Sequence, residues 1–183
     1  MIEITIDGTA ASGKGTLAKK LSSKYGFPHL DTGLLYRKVA FELINKKTHN
    51  LRNLEATSCS IAKKISFYKL EGRKLRSEET AKLASSIASF PKLREILNQK
   101  QIDFANENKE KFGGCILDGR DIGTVILPNA NFKFFINASV EVRAKRRLLQ
   151  KNISFLHEND EKCMLQSLIE NMVERDNIDR SRE

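Results

Sequence analysis

The chain contains no tryptophan, three tyrosines and three cysteines in 183 residues, and no apolar run approaches the length of a membrane span. Each shortage excludes something. Cys59, Cys115 and Cys163 stand far apart and form no CxxC or Cys/His cluster, so neither a disulfide scaffold nor a zinc site is expected. They read as small apolar side chains and as reduced thiols of a cytosolic protein. Aromatics are few and no basic stripe is interleaved with them, which disfavours a nucleic-acid platform. No stretch predicts a transmembrane helix, and the first residues carry a strand pattern where a charged and apolar leader would stand. Repeats, low-complexity tracts and linkers are also missing. Acidic residues are outnumbered, 23 against 32 Lys and Arg, for a net charge of +9. That excess suits capture of small polyanions or of nucleic acid. Part of it is solvated lysine, as in Lys19-Lys20, Lys46-Lys47 and Lys63-Lys64. With 40% hydrophobic and 30% charged residues the chain reads as one globular core, able to bury roughly 70% of its unfolded surface.

What is present begins at Gly8. The stretch Gly8-Thr9-Ala10-Ala11-Ser12-Gly13-Lys14-Gly15-Thr16 has the spacing of a phosphate-binding loop, and the apolar run from Ile2 to Asp7 leads into it. Glycines let backbone N–H groups close around phosphate oxygens, and the following helix aims its positive end at them. Lys14 can reach the β- and γ-phosphates as a compact charge. Leu17, Leu21 and Tyr25 share one helical face, so strand, loop and helix coincide. Gly15 stands where Ser or Thr usually meets Mg²⁺, and Thr16 follows it, which makes Thr16 the candidate metal-side hydroxyl.

Further along, a second strand is expected over Phe27–Leu30, ending in Asp31-Thr32-Gly33. A helix is expected through Leu35, Val39 and Leu43. Residues 45–58 are polar and irregular, with a short helix possible from Leu54 to Lys64. Ile65–Tyr68 reads as a short strand before the turn at Glu71-Gly72-Arg73. Ser77 opens a helix that stops before Pro91, and Pro91 opens another reaching about Glu107. Cys115–Leu117 and Phe132–Asn137 read as buried strands. Ser139–Gln150 reads as a helix, residues 151–161 as a polar and mobile stretch, and Leu165, Leu168, Ile169 and Met172 mark a last amphipathic helix. The alternation predicts an α/β fold of three layers, a parallel sheet with helices on both faces.

Three more clusters carry chemistry. Asp31 or Thr32 caps the helix that follows, and Arg37, one turn in, could reach a bound phosphate. Asp118-Gly119-Arg120-Asp121 ends an apolar strand. Asp118 is the candidate to hold hydrated Mg²⁺, Arg120 offers a planar fork to phosphate, and Asp121 can accept from an exocyclic amine. Near the C-terminus Arg175, Asp179 and Arg182 share a helical face, while Asp176 and Arg180 form an i, i+4 pair worth roughly 0.3–0.5 kcal/mol. That face reads either as a surface ion-pair network or as two arginines presented to phosphate or ribose. Arg143, Arg146 and Arg147 add cations suited to a closing lid that stabilises charge on a moving phosphoryl group.

Taken in order, these segments resemble the bacterial cytidylate kinases. The resemblance rests on Ile4–Gly8 with the phosphate loop, Leu30–Gly33 with Tyr36-Arg37, Leu75-Arg76-Ser77 leading to Ala84-Ser85, and Phe90–Arg94. It continues through Asp118–Val125, Ala144–Arg147, Glu174-Arg175-Asp176 and Asp179–Arg182. It implies one nucleoside monophosphate kinase domain over 1–183, with a CMP-side insert about 45–107 and a lid about 146–175. The implied reaction passes the γ-phosphoryl of ATP, with Mg²⁺, to CMP or dCMP. Gly8 to Thr16 would hold ATP. Ser85, Arg94 and Asp121 would read cytosine, Arg37, Arg120 and Arg182 the CMP phosphate, and Arg175 and Asp179 the sugar. Thr32 joins the implied CMP contacts. Lys14, Asp118, Arg120, Arg146 and Arg147 are the implied catalytic set. The implied partners are these nucleotides, without membrane or nucleic acid, for a cytoplasmic monomer.

The chain departs from that family in two places. The family continues past Arg-Ser-Arg with a further strand and helix, whereas this sequence stops at Glu183, and the stretch from Ile65 to Leu75 is short. The expectation is therefore a four-stranded sheet whose Phe132–Asn137 edge is open and prone to self-association. The chain is either naturally short or a fragment, with weakened ATP affinity or stability. The rival to an active kinase is a nucleotide-binding protein with little turnover. A basic nucleic-acid binder is a more distant third.

Overall fold

A computed structural model describes residues 1–48, 52–68, 70, 72–150 and 158–180. Strand β1 (Ile2–Gly8) runs into the glycine loop, and helix α1 (Lys14–Tyr25) leaves it. Strand β2 (His29–Asp31) leads into α2 (Gly33–Asn45). Then come α3 (Leu54–Lys64), a 3₁₀ turn (Arg73–Arg76), α4 (Glu78–Ile87) and α5 (Pro91–Phe112). Strand β3 (Gly114–Gly119), a π turn (Ile122–Ile126), strand β4 (Phe132–Ile136) and helices α6 (Val140–Gln150) and α7 (Glu158–Arg180) complete the described chain.

The four strands form one parallel sheet in the order β2-β3-β1-β4. Side chains alternate across it. On one face Ile4, Ile6 and Ile116 pack with Ala18, Leu17 and Leu21 of α1. On the other, Leu30, Cys115 and Leu117 join the large core built from α2, α3, α4 and α5, with Leu35, Leu43, Leu93, Leu97 and Phe104 buried in it. A third cluster, Ala144 and Leu148 with Leu168 and Met172, clamps α6 to α7, and Ala11 of the glycine loop packs against it. The expected α/β architecture is the one observed.

Ser77 caps α4 as its sequence suggests, its hydroxyl accepting from the Thr80 N–H at 3.2 Å, and Pro91 opens α5. Three expectations need correction. Ile65–Tyr68 is not a strand. Ile65 is buried at the end of α3, and Phe67 turns its ring onto Phe104 at 5.4 Å, so the local β-formers are spent on helix packing. The β4 strand is not buried: as a sheet edge it leaves Phe132 52%, Phe134 43% and Phe135 69% exposed. Helix α5 outlasts Glu107 and ends at Gly113, whose φ of 76° supplies the left-handed turn. Of the stretch 151–161 expected to be mobile, 151–157 lies outside the described residues, and 158–161 already belongs to α7.

Candidate functional site

Every strand delivers its C-terminal end to one edge of the sheet, where ligands of open α/β folds bind. The glycine loop closes there because two backbone positions are sterically fixed. Gly8 has φ 146°, and a Cβ on it would lie 2.0 Å from the Ile136 carbonyl oxygen. Gly13, at φ 105°, opens α1 without a side-chain cap, and N–H groups at the start of a helix are available to an anion. Buried in the loop, the hydroxyls of Thr9 and Ser12 have no hydrogen-bond partner among the described residues. Orphaned polar atoms beside a helix N-terminus suit phosphate oxygens. Lys14 curls back to the Thr9 carbonyl at 3.4 Å. Burial pushes its ammonium down to about 8, aided by repulsion from Arg120 and opposed by Asp118 and Asp31.

The second wall is the end of β3. Asp118 sits opposite Ile6 on one side and Asp31 on the other. Its carbonyl accepts from the Thr32 N–H at 3.0 Å and the Thr32 hydroxyl at 2.9 Å. The strand then passes so close to Thr32 that a Cβ on Gly119 would come within 2.5 Å of that hydroxyl. Arg120 bridges the site, donating to the Gly8 carbonyl of the loop and forming an ion pair with Asp179 of α7 at 3.0 Å. Asp121 accepts from Arg94 of α5 at 2.7 Å. Thus the residues read from the sequence as phosphate and amine contacts lie side by side.

The third wall is cationic. Arg37 donates to the Leu75 carbonyl at 3.1 Å. Burial pushes its guanidinium down to about 10, with further repulsion from Arg175 and Arg147. A guanidinium stays charged in a protein, so the shift records a cation that is first buried and then crowded, a strain that an anion would relieve. Arg146 donates to the Ser12 carbonyl at 2.8 Å, drawing α6 onto the loop, and Arg147 reaches Gln150 at 3.4 Å. Ser85 is half-buried on α4, and Thr16 is exposed on the first turn of α1. Arg182 lies outside the described residues, as does the side chain of Arg180.

Two readings of the cations change. Arg143 is no lid cation: it is buried and forms a forked pair with Asp176 of α7, at 2.6 and 3.3 Å. Asp176 therefore faces α6, across the helix pair. Asp7 and His29 had no chemical role in the sequence. Asp7 accepts from the Ile122 and Gly123 N–H groups at 2.9 and 2.8 Å, holding the turn behind Asp121. Burial raises its pKa, and those two bonds pull the other way. His29 Nε2 meets Asp118 Oδ1 at 2.7 Å. Strand register carried the signal for both: Asp7 pairs with Gly119, and His29 lies two residues before Asp31, the partner of Asp118. His49 and His157 lie outside the described residues.

The site suits Mg²⁺ only of the nucleotide-borne kind. Among the described residues no three His, Cys, Asp or Glu cluster to cage a metal. Asp118 Oδ2, however, faces Gly15, where a Cβ would lie 3.7 Å away, so one carboxylate oxygen is turned toward the loop. One carboxylate plus phosphates and water is a donor set Mg²⁺ accepts.

The family model for Cytidylate kinase matches residues 4–183. A cytidylate kinase of Bartonella quintana (strain Toulouse) is 50% identical over 144 residues, 79% of this chain and 64% of that protein. One from Methylocella silvestris is 44% identical over 179 residues, 98% of this chain and 78% of the relative. A third, from Bradyrhizobium diazoefficiens, is 38% identical over 98% of this chain and 79% of its own length. Over the match with the Bartonella protein, then, the chain spans less than two thirds of the relative.

Proposed function

The chain belongs to the cytidylate kinase family, and on that premise we propose that it transfers the γ-phosphoryl group of ATP to CMP and dCMP. The observation that supports this most is the bridge made by Arg120, from the Gly8 carbonyl on the donor side to Asp179 on α7, with the Asp121–Arg94 pair one residue away. Donor and acceptor subsites then share one wall, as an in-line transfer requires.

In this reading residues 8–16 bind ATP, and Lys14 neutralises the β- and γ-phosphates. Arg37, Arg120 and Arg182 hold the acceptor phosphate, Arg175 and Asp179 the sugar, and Thr32 lines the acceptor side. Ser85, Arg94 and Asp121 read the base. The cytosine amino group donates to Asp121, where uracil would present an acceptor. Buried groups left unpaired by the wrong base support discrimination of up to about 10⁴-fold. An acceptor phosphate oxygen attacks the γ-phosphorus as its bond to the ADP oxygen breaks. The protein supplies position and positive charge, and forms no phosphoenzyme. Bound Mg²⁺ would neutralise phosphate charge, with Asp118 and Thr16 as the residues nearest to hold it. Residues 45–107 form the acceptor-side insert in this scheme, and 146–175 the lid, with Arg146 and Arg147 reaching the transferred group. The setting would be the cytoplasm.

The test is ADP release from ATP and Mg²⁺ with CMP, dCMP, UMP and AMP each offered as acceptor. Turnover with CMP or dCMP, lost in Asp121→Ala, is the expected result. Nucleotide binding without turnover would establish the rival binding-protein reading.

A further inference from the structure

We propose that His29 is a positioning residue for phosphoryl transfer, fixing which oxygen of Asp118 faces the glycine loop. The proposal rests on the kinase reading above. In the β2–β3 register His29 stands opposite Ile116 and Asp31 opposite Asp118. His29 and Asp118 are therefore diagonal neighbours on the same sheet face, the one that carries α1. Diagonal partners of this kind lie within reach of an aromatic side chain. The imidazole closes the gap, Nε2 to Oδ1 at 2.7 Å. Both partners are sheltered, with side chains 11% and 3% exposed.

The consequence follows from carboxylate geometry. Rotation about the last bond of aspartate is broad and two-fold, so an unheld carboxylate does not distinguish its oxygens. Here the Asp118 main chain is pinned by Thr32 and Oδ1 by His29. An ionised carboxylate accepts only, so the imidazole donates from Nε2. Oδ2 is left facing Gly15 at the start of α1. A donor held by a partner behind it keeps its aim without reorganising when charge arrives, and removal of such a partner costs about 10–100-fold in metal affinity or activity.

The test compares the full chain with His29→Leu, His29→Gln and His29→Asn. A glutamine amide nitrogen can occupy the place of Nε2, whereas asparagine is too short. Steady-state kinetics would be read together with Mn²⁺ affinity in the presence of a non-hydrolysable ATP analogue, by electron paramagnetic resonance. The expected result for His29→Leu is a kcat at least about tenfold lower and Mn²⁺ bound about tenfold more weakly, with KM for CMP unchanged. His29→Gln should recover most of both losses and His29→Asn little. Wild-type kcat and Mn²⁺ affinity in His29→Leu would overturn the proposal. So would losses that follow melting temperature across the three variants regardless of amide reach. If His29→Leu fails to fold, the comparison of Gln with Asn decides: recovery in Gln alone supports the role, and equal values overturn it. A wild-type chain that binds the Mn²⁺ complex but never turns over CMP would defeat the kinase reading instead, leaving Mn²⁺ affinity to decide the role of His29.

Discussion

Single residues at this site are fixed by how close the backbone comes to its neighbours. Two glycines of one motif show the difference. A Cβ on Gly8 would meet the Ile136 carbonyl oxygen at 2.0 Å, in a φ that side chains avoid, while one on Gly15 would meet only Asp118 Oδ2 at 3.7 Å. Gly8→Ala should therefore pry β1 from β4 and cost about 2–4 kcal/mol in urea unfolding. Gly15→Ala should change stability by less than about 1 kcal/mol, because the space is ordinary and alanine favours helix. Equal losses would mean that the loop geometry is not what constrains the motif. The thiols give a second residue-level prediction. Cys115 is fully buried in β3, and burial pushes its thiol up to about 12 from 9.0. Between these values the folded chain keeps a proton that the unfolded chain releases. The contribution to stability is whole below pH 9 and is lost as pH rises toward 12. Stability, followed by denaturation from pH 8 to 11, should fall more steeply in the wild type than in Cys115→Ala. In thiol titration at pH 8, the exposed Cys163 should react first and Cys115 only on unfolding.

Elements reveal what the sequence carried and what it did not. Strand, glycine loop and α1 were legible because an apolar run, two glycines and a helical stripe agree locally. The Asp118–Asp121 turn was legible because its polar residues abruptly end an apolar strand. What escaped was set by partners distant in sequence. The assignment of Asp176 to Arg180 followed the i, i+4 rule, whereas Asp176 meets Arg143 of α6, which offers a planar fork. Ile65–Tyr68 looked like a strand because its residues favour one, yet Ile65 is buried at the end of α3 and the Phe67 ring packs on Phe104 of α5. His29 and Asp7 needed the register of β2, β3 and β1 before their targets could be known. The Arg143–Asp176 fork also predicts how α7 is held. Asp176→Ala leaves a buried guanidinium unpaired, a loss of about 3–5 kcal/mol in such settings. Hydrogen exchange should then accelerate through α7 and α6 while β1 and β3 stay protected. The double variant Arg143→Met with Asp176→Leu should recover most of that protection, since apolar residues can replace a buried pair. No recovery would show that the pair contributes geometry that packing cannot replace.

At the scale of the whole molecule two features oppose each other. Among the described residues, the β4 edge carries three exposed phenylalanines and an unpaired row of backbone groups on its outer side, a surface suited to pairing with another copy. Against this stands a net charge of +9, which makes copies repel at long range. The reach of that repulsion is set by salt, from about 10 Å at 0.1 M to about 3 Å at 1 M, whereas contact between apolar edges is not weakened by salt. Self-association should therefore grow as salt is raised. Sedimentation velocity should give the monomer mass at low salt and a rising, concentration-dependent average at high salt. Phe135→Lys, at the most exposed of the three rings, adds charge to the edge and should keep the chain monomeric throughout. ATP with CMP should act in the same direction as salt, because neutralising the crowded arginines lowers the net charge without touching β4. A mass that falls as salt rises would instead mean that ion pairs join the copies and that the open edge is inert.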